Sequence, residues 1–147
     1  MLRLSIAVLS MLVVSCASSM VNLQNKAIDA TSTAKLIVIR PEMKLGAMVA
    51  IPIILNDELV AKMSTNSYFE ISCKPEQYEI QAGEGDPVST LLLPMKISFK
   101  LVEGKNGYII LRDGMVDKDG TSYLAMTPTQ VSAEQGKQEL LKANKIK

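Results

Sequence analysis

The sequence predicts a mostly β protein, a single small antiparallel β-sandwich or open barrel with one short C-terminal helix. From Ala34 onward, short stretches alternate between apolar and polar residues, which is the two-residue period of a strand with one wet face. Gly, Pro, Asn and Asp residues separate these stretches at close spacing, as they do in sandwiches and barrels. A helical pattern with a capping residue begins only at Ser132.

The chain begins with a segment organised like a bacterial lipoprotein signal peptide. Arg3 is basic, Leu4–Val14 is apolar, and the small residue Ser15 precedes Cys16. The apolar run has about half of the ~20 residues that span a bilayer, so we expect a cleaved leader rather than a permanent anchor. The resemblance implies that signal peptidase II cuts between Ser15 and Cys16, and that acyl chains such as palmitate are attached to Cys16. The alternative is an ordinary secretory signal that happens to contain a cysteine.

Lipidation at Cys16 would place the protein on a membrane. A single acyl chain binds a bilayer only marginally, whereas two or three chains bind it stably. In enteric-type sorting, a residue other than Asp after the cysteine favours the outer membrane, and here that residue is Ala17. We therefore expect a lipid-anchored protein of the bacterial cell envelope, on the outer membrane and facing the periplasm. Loss of Arg3 leaves equal numbers of basic and acidic residues, so no attraction to nucleic acid is expected.

The chain is predicted to have three parts. Residues 1–15 are the signal peptide, residues 16–33 are the lipidated N-terminus and a flexible tether, and residues 34–147 are the β-rich domain with its helix. The tether is rich in Ser, Asn, Ala and Thr and has no sustained apolar period. In the alternative interpretation, Met20, Val21 and Leu23 lie against the domain.

Turn residues and prolines separate the predicted strands. Pro41 ends the first strand because proline lacks a backbone donor, and Pro52 inside the second predicts an edge position or a bulge. The polar segment Asp113–Gly120 is predicted to be a loop, and the last strand continues in one interpretation past Pro128 to Val131. The predicted strands are Ala34–Arg40, Val49–Leu55, Leu59–Met63, Tyr68–Cys73, Tyr78–Ala82, Val88–Leu93, Met95–Val102, Tyr108–Arg112 and Ser122–Thr127.

The predicted helix begins after Ser132. Ser132 and Gln135 have the spacing of a capping box, in which the hydroxyl accepts from a backbone N–H of the first turn. Gly136 lowers helix propensity by about 1 kcal/mol relative to Ala, so this helix should be short and need tertiary support. Its predicted apolar stripe is Leu140 and Leu141. Several lysines lie near its end, and we predict that they form a solvent-exposed face of the helix. The alternative is that they contact anionic lipid head groups. These lysines are Lys137, Lys142, Lys145 and Lys147.

Six short segments follow one another in a recognisable order. They are Ala34–Pro41, Leu55–Asp57, Ser67–Ile71, Lys74–Ile80, Gly107–Ile110 and Gly136–Leu140. Together they resemble a bacterial lipoprotein family with a small β-rich domain of unknown function, whose first strand ends in Arg-Pro. The sequence departs from that pattern where Glu76 replaces a turn Gly and Ile39 replaces an aromatic residue. The resemblance implies the β fold and lipidation at Cys16, and it implies no activity, cofactor or catalytic residue.

The residue types present exclude several kinds of site. The chain has no His, which excludes Ser-His-Asp and Cys-His catalysis and His-ligated metals. With Cys16 lipidated, Cys73 has no partner for an intrachain disulfide or a cysteine-rich zinc site. Cys73 is predicted to be a small buried hydrophobic residue, because it alternates in phase with Phe69 and Ile71. An intermolecular disulfide or a redox thiol is the alternative.

Other polar or sulfur-containing patterns are predicted to be structural. Asp117–Gly120 resembles part of a calcium loop, but Met115 and Met126 would then occupy positions that must supply ligands. The Met residues are predicted to fill gaps in a core poor in aromatics, and alternatively to line a groove for a soft metal or an adaptable partner. The remaining patterns, all predicted to be solvated turns, are Gly83-x-Gly85, Glu84 with Asp86, and Asp117 with Asp119. The Met residues after the leader are Met20, Met43, Met48, Met63, Met95, Met115 and Met126.

These observations predict a non-enzymatic, membrane-anchored β domain. We expect it to act as a binding or envelope-structure module for an unidentified envelope protein partner, with no cofactor and no metal site. The alternative is a periplasmic carrier of a small ligand or a soft metal. An enzyme would have only carboxylate, Lys or Ser chemistry available, and is the third hypothesis.

Overall fold

The computed structural model describes residues 33–44, 49–83 and 92–146, together with the backbone of Ser19–Met20. The predicted signal peptide and the lipidation site Cys16 lie outside the described residues, as do Glu84, Gly85 and Asp86.

The described residues form two β-sheets and one helix, which confirms the predicted β-sandwich with a short C-terminal helix. The first sheet has the order β1-β4-β3-β6-β8 and the second has the order β11-β5-β2-β9-β10-β7. The elements are β1 Ser19–Met20, β2 Ala34–Arg40, β3 Ile51–Leu55, β4 Glu58–Met63, β5 Ser67–Cys73, β6 Gln77–Ala82, β7 Leu92–Leu93, β8 Met95–Lys100, β9 Asn106–Lys118, β10 Thr121–Val131, α1 Ala133–Leu140 and β11 Asn144–Lys145.

Strand β2 is buried on both faces. Leu36 and Val38 point into the main core between the two sheets, whereas Ile37 and Ile39 lie in a second cluster with Leu140 of α1. This explains the continuous apolar run in β2, because a strand covered on both sides has no wet face. β2 pairs with β5 in antiparallel and with β9 in parallel orientation. The short strands β7 and β11 add two further parallel pairings to an otherwise antiparallel arrangement.

Pro52, which predicts an edge position or a bulge, lies beside a bulge of the β3–β4 pair. Strand β3 pairs with β4 on one side and with β6 on the other, so it is not an edge strand. Its register against β4 shifts between Ile53 and Ile54, where Val60 of β4 is the extra residue. Pro52 precedes the segment Ile53–Leu55 that pairs with β6, so this ladder does not include the proline.

The prediction that Asp113–Gly120 forms a loop is wrong. Strand β9 continues to Lys118, and β10 begins at Thr121, directly opposite it. Asp119 and Gly120 have φ values of 51° and 77°, so two residues with left-handed backbone close the hairpin. β10 runs through Pro128 to Val131, which confirms the prediction that the last strand continues past Pro128. β7 pairs only with Leu124 and Ala125, so Pro128 lies beyond the segment that β7 covers.

Helix α1 is capped as predicted. The Gln135 backbone N–H donates to Ser132 Oγ at 3.3 Å. Leu140 packs against the second cluster, but Leu141 is 90% exposed, so the predicted stripe of two leucines is wrong for Leu141. Leu141 is the C-cap residue, at which the helix ends. Gly136 is buried, and a Cβ at this position would clash with the ring of Tyr108.

Two short strands, β1 and β7, lie at the edges of the sheets, and β7 is the described end of the predicted strand Val88–Leu93. Ser19–Met20, within the predicted tether, pairs with β4 so that Ser19 lies opposite Lys62. β7 belongs to the second sheet and β8 to the first, and Pro94 is the only residue between them.

Candidate functional site

The described residue nearest in sequence to the predicted lipidation site is Ser19, in β1. β1 is antiparallel to β4, so Ser19, at the start of β1, lies toward the Met63 end of β4. Three residues of extended chain reach roughly 11 Å. The predicted lipidation site Cys16 is three residues before Ser19 and so lies no farther than about this distance from it.

Cys73 is buried at the end of β5 and belongs to the main core. Burial raises the pKa of its thiol to about 11, which disfavours the thiolate needed for nucleophilic or redox chemistry. Its Sγ lies 3.9 Å from the carbonyl oxygen of Ile71. These features are those of a small buried hydrophobic residue.

A buried arginine connects the two sheets at the end where β4 stops. Arg40 has no exposed surface, and its Nη1 donates to the carbonyl oxygens of Val49 at 2.6 Å and Met63 at 2.5 Å. Burial lowers the pKa of the guanidinium to about 10, partly opposed by the charge of Asp113. The side chain stays charged near neutral pH and holds the last residue of β4 and the segment before β3 against the end of β2.

An apolar groove lies at this same end of the molecule. Its volume is about 330 Å³, within the lower range for ligand pockets. Val49, at its rim, is 50% exposed, whereas Leu92 at its wall is buried. Among the described residues, Lys62 is the only charged one in its wall. The lining residues are Val49–Pro52, Lys62, Leu92 and Leu124.

A second, polar cavity of about 350 Å³ opens between the end of β2 and the middle of β9. It carries both signs of charge, and Glu139 in its wall pairs with Lys142 at 3.0 Å. Mixed, solvated charges of this kind favour no particular ligand. Its lining residues are Pro41, Glu42, Met43, Ile110, Leu111, Arg112, Asp113 and Glu139.

The described acidic residues are dispersed. Within the described ranges, no three His, Cys, Asp or Glu side chains come close enough together to hold a metal ion. Asp117 accepts a hydrogen bond from Ser122 across the hairpin, and Asp119 occupies its tight turn. Asp117–Gly120, predicted to be a solvated turn, forms the end of β9 and the hairpin turn at Asp119 and Gly120.

The described Met side chains do not gather around a cavity. Met43 lines the polar cavity, and none of the described Met residues lines the apolar groove. Met63 and Met126 are fully buried in the main core, as expected of gap fillers, and Met115 is 56% exposed on the hairpin.

The lysines near the C-terminal end of α1 form ion pairs. Lys142 pairs with Glu139 within the helix, and Lys145 of β11 donates to Glu70 of β5 at 2.5 Å. The hydrogen bond from Lys145 lowers the pKa of Glu70. Lys147 lies outside the described residues.

Two features of this end of the molecule are absent from the sequence predictions. Arg40 follows Leu36 and Val38 at two-residue spacing, so its side chain lies on the same, inward face of β2. This spacing is the signal from which its burial could have been predicted. The apolar groove combines residues from four strands and the segment before β3, and no local pattern indicates it.

Within the part of the chain that the structure describes, no helix is both long enough and apolar enough to cross a membrane. Comparison of the chain with protein families, with curated proteins and with solved structures returns no match.

Proposed function

We propose that this protein is a bacterial lipoprotein whose β-sandwich is held on a membrane by acyl chains at Cys16. The observation that carries the proposal is the short apolar run Leu4–Val14 followed at once by Ser15 and Cys16. The fold is consistent with it, because Ser19 of β1, three residues after Cys16, already pairs with β4 of the sandwich. Ala17 favours the outer membrane and the periplasmic face.

We further propose that the domain acts by binding or as an envelope-structure module, without catalysis. The chain has no His. Burial keeps the Cys73 thiol protonated, and Arg40 is engaged with backbone carbonyls between the sheets. These nucleophilic and cationic groups serve the core rather than an open site.

Mass spectrometry of the protein purified from bacterial membranes tests the lipid anchor. We expect a mature chain that begins at Cys16 and carries the mass of acyl chains. Cys16→Ala should remove the acyl mass and abolish the processing, and Cys73→Ala is the matched control that should leave both unchanged. A mature protein that begins elsewhere, or that carries no acyl mass, would refute the proposal.

A carrier of a small apolar ligand is the second candidate function, and the apolar groove is the observation that favours it. Native mass spectrometry of the mature chain should then show a retained lipid-like molecule. A mass equal to that of the protein alone, measured after purification under mild conditions, would argue against a carrier.

A further inference from the structure

We infer that the apolar groove formed by Val49–Pro52, Lys62, Leu92 and Leu124 is the binding site for an acyl chain attached to Cys16 of the same molecule. The inference rests on the proposed lipidation of Cys16, and it adds where one of the acyl chains goes.

The position of β1 is the first argument. Ser19 lies directly opposite Lys62, and Lys62 is itself part of the groove wall. Ser19, at the start of β1, lies toward the Met63 end of β4, and Met63 is paired with Ile51, which lines the groove. Cys16 is only three residues away, at most roughly 11 Å along an extended chain. A lipid on Cys16 is thus tethered beside the groove.

The chemistry of the wall is the second argument. Six of the seven described lining residues are apolar, and they come from both sheets. An acyl chain needs only apolar contacts along its length, and each methylene removed from water contributes about 0.8 kcal/mol. The one charged residue, Lys62, lies on the β1 side, where the polar glyceryl end of the lipid would enter.

Effective concentration is the third argument. A ligand joined to its site by a short linker binds as if at millimolar concentration. A free lipid must instead compete from solution or from the bilayer. The tethered acyl chain is therefore the occupant that the geometry favours.

A Trp placed at the groove rim provides the test, because the natural sequence has no Trp. Val49→Trp would report on the groove, and Val102→Trp is the matched control, since Val102 is 49% exposed but lies at the opposite end of the sandwich. Each variant is prepared as the lipidated mature protein and as the same mature chain with Cys16→Ser, made without the leader. The probe is stearate labelled with bromine along its chain, which quenches Trp on contact, and both forms are kept in one detergent.

We expect the probe to quench roughly half of the tryptophan emission of the unlipidated Val49→Trp chain, because a pocket encloses most of its ligand. In the lipidated protein the same probe should quench little, because the groove is already filled. Val102→Trp should respond equally little in both forms. Hydrogen exchange of the protein without Trp is the second measurement, and lipidation should slow exchange in Ile51–Leu55 and Leu92–Leu93.

The other outcomes would overturn the inference in distinguishable ways. Quenching of Val49→Trp in both forms, with unchanged hydrogen exchange, would mean that the groove takes a free lipid rather than its own acyl chain. Quenching in neither form, with no protection by lipidation, would mean that the groove binds no acyl chain, while a measured acyl mass on Cys16 would leave the proposed lipoprotein function standing. Absence of an acyl mass on Cys16 would refute both this inference and the proposed lipoprotein function.

Discussion

Single residues at two positions determine how the sheets and the helix are held together. Arg40 brings a charge into the core and uses it to bind two carbonyl oxygens, which would otherwise face apolar surroundings. Gly136 does the opposite, because it contributes no side chain and so lets α1 approach the ring of Tyr108. Sequence rules disfavour an arginine in a protein core and a glycine inside a helix, yet these are the residues that the packing requires at positions 40 and 136.

Arg40→Met should lower the free energy of unfolding by about 2–4 kcal/mol, because two carbonyl oxygens at the sheet end lose their donor. Urea unfolding followed by circular dichroism measures this change. Arg112→Met is the matched control, since Arg112 is exposed, and its effect should stay within about 0.5 kcal/mol. Equal effects of the two substitutions would contradict the role given to Arg40.

Gly136→Ala should destabilise the protein by about 1–3 kcal/mol, although Ala is the better helix former by about 1 kcal/mol. The added Cβ would meet the Tyr108 ring, so helix and sheet would have to separate. Thermal unfolding provides the measurement. Gly114→Ala is the control, because a Cβ there meets nothing within 4 Å. A rise in melting temperature for Gly136→Ala would show that the close approach does not constrain the helix.

At the scale of elements, the end of the chain is joined to the second sheet through β11. The backbone N–H of Ile146 donates to the carbonyl oxygen of Tyr68 at 2.8 Å, and Ile146 is buried in the main core. Lys145 reaches Glu70, which also lies 3.8 Å from Lys35. Glu70 therefore joins β11 to β5 and β2 through charge.

Glu70 should make stability depend on pH. The hydrogen bond from Lys145 lowers the pKa of Glu70 in the folded protein below its ordinary value of 4.5. The unfolded chain then binds the proton more readily, so the stabilisation is fully present above the ordinary pKa and is lost as pH falls through the folded pKa. Wild-type protein should therefore be more stable than Glu70→Gln near neutral pH, and the difference should vanish in acid.

Unfolding free energies measured across this pH range would show the difference. Glu58→Gln removes an equal charge from an exposed position and serves as the control. A difference between wild type and Glu70→Gln that persists unchanged in acid would indicate that the contact contributes nothing through its charge.

Alternation identified most strands because each has one face in the core. It failed for Asp113–Lys118, where the hairpin is mostly exposed on both faces and the sequence shows no period. It also could not reveal the parallel pairing of β2 with β9, because the order of strands depends on contacts between distant parts of the chain. β11 has only two residues, too few for any period to be visible, whereas β7 lies within the predicted strand Val88–Leu93.

For the molecule as a whole, one main core lies between the sheets. Cys73 lies at one end of β5 within this core, far in sequence from Cys16. The candidate site was predictable only in part. Cys16 is indicated by a local motif, whereas the apolar groove depends on Lys62, Leu92 and Leu124 coming together in the folded chain.

Because both sheets share this core, they should unfold together. In the mature chain with Cys16→Ser, the Cys73 thiol should react with iodoacetamide only as the protein unfolds in urea. Its modification should follow the same urea midpoint as the circular dichroism signal. A Val102→Cys variant supplies an exposed thiol that should react without urea. Rapid modification of Cys73 in native buffer would contradict cooperative burial.

The joint at Pro94 has a mechanical consequence for the sandwich. β7 and β8 belong to different sheets, and one residue links them. If the two sheets moved apart along this side, β7 or β8 would therefore lose its hydrogen bonds to the neighbouring strand. The joint therefore fixes the distance between the two sheets beside Leu92, the residue of β7 that lines the apolar groove.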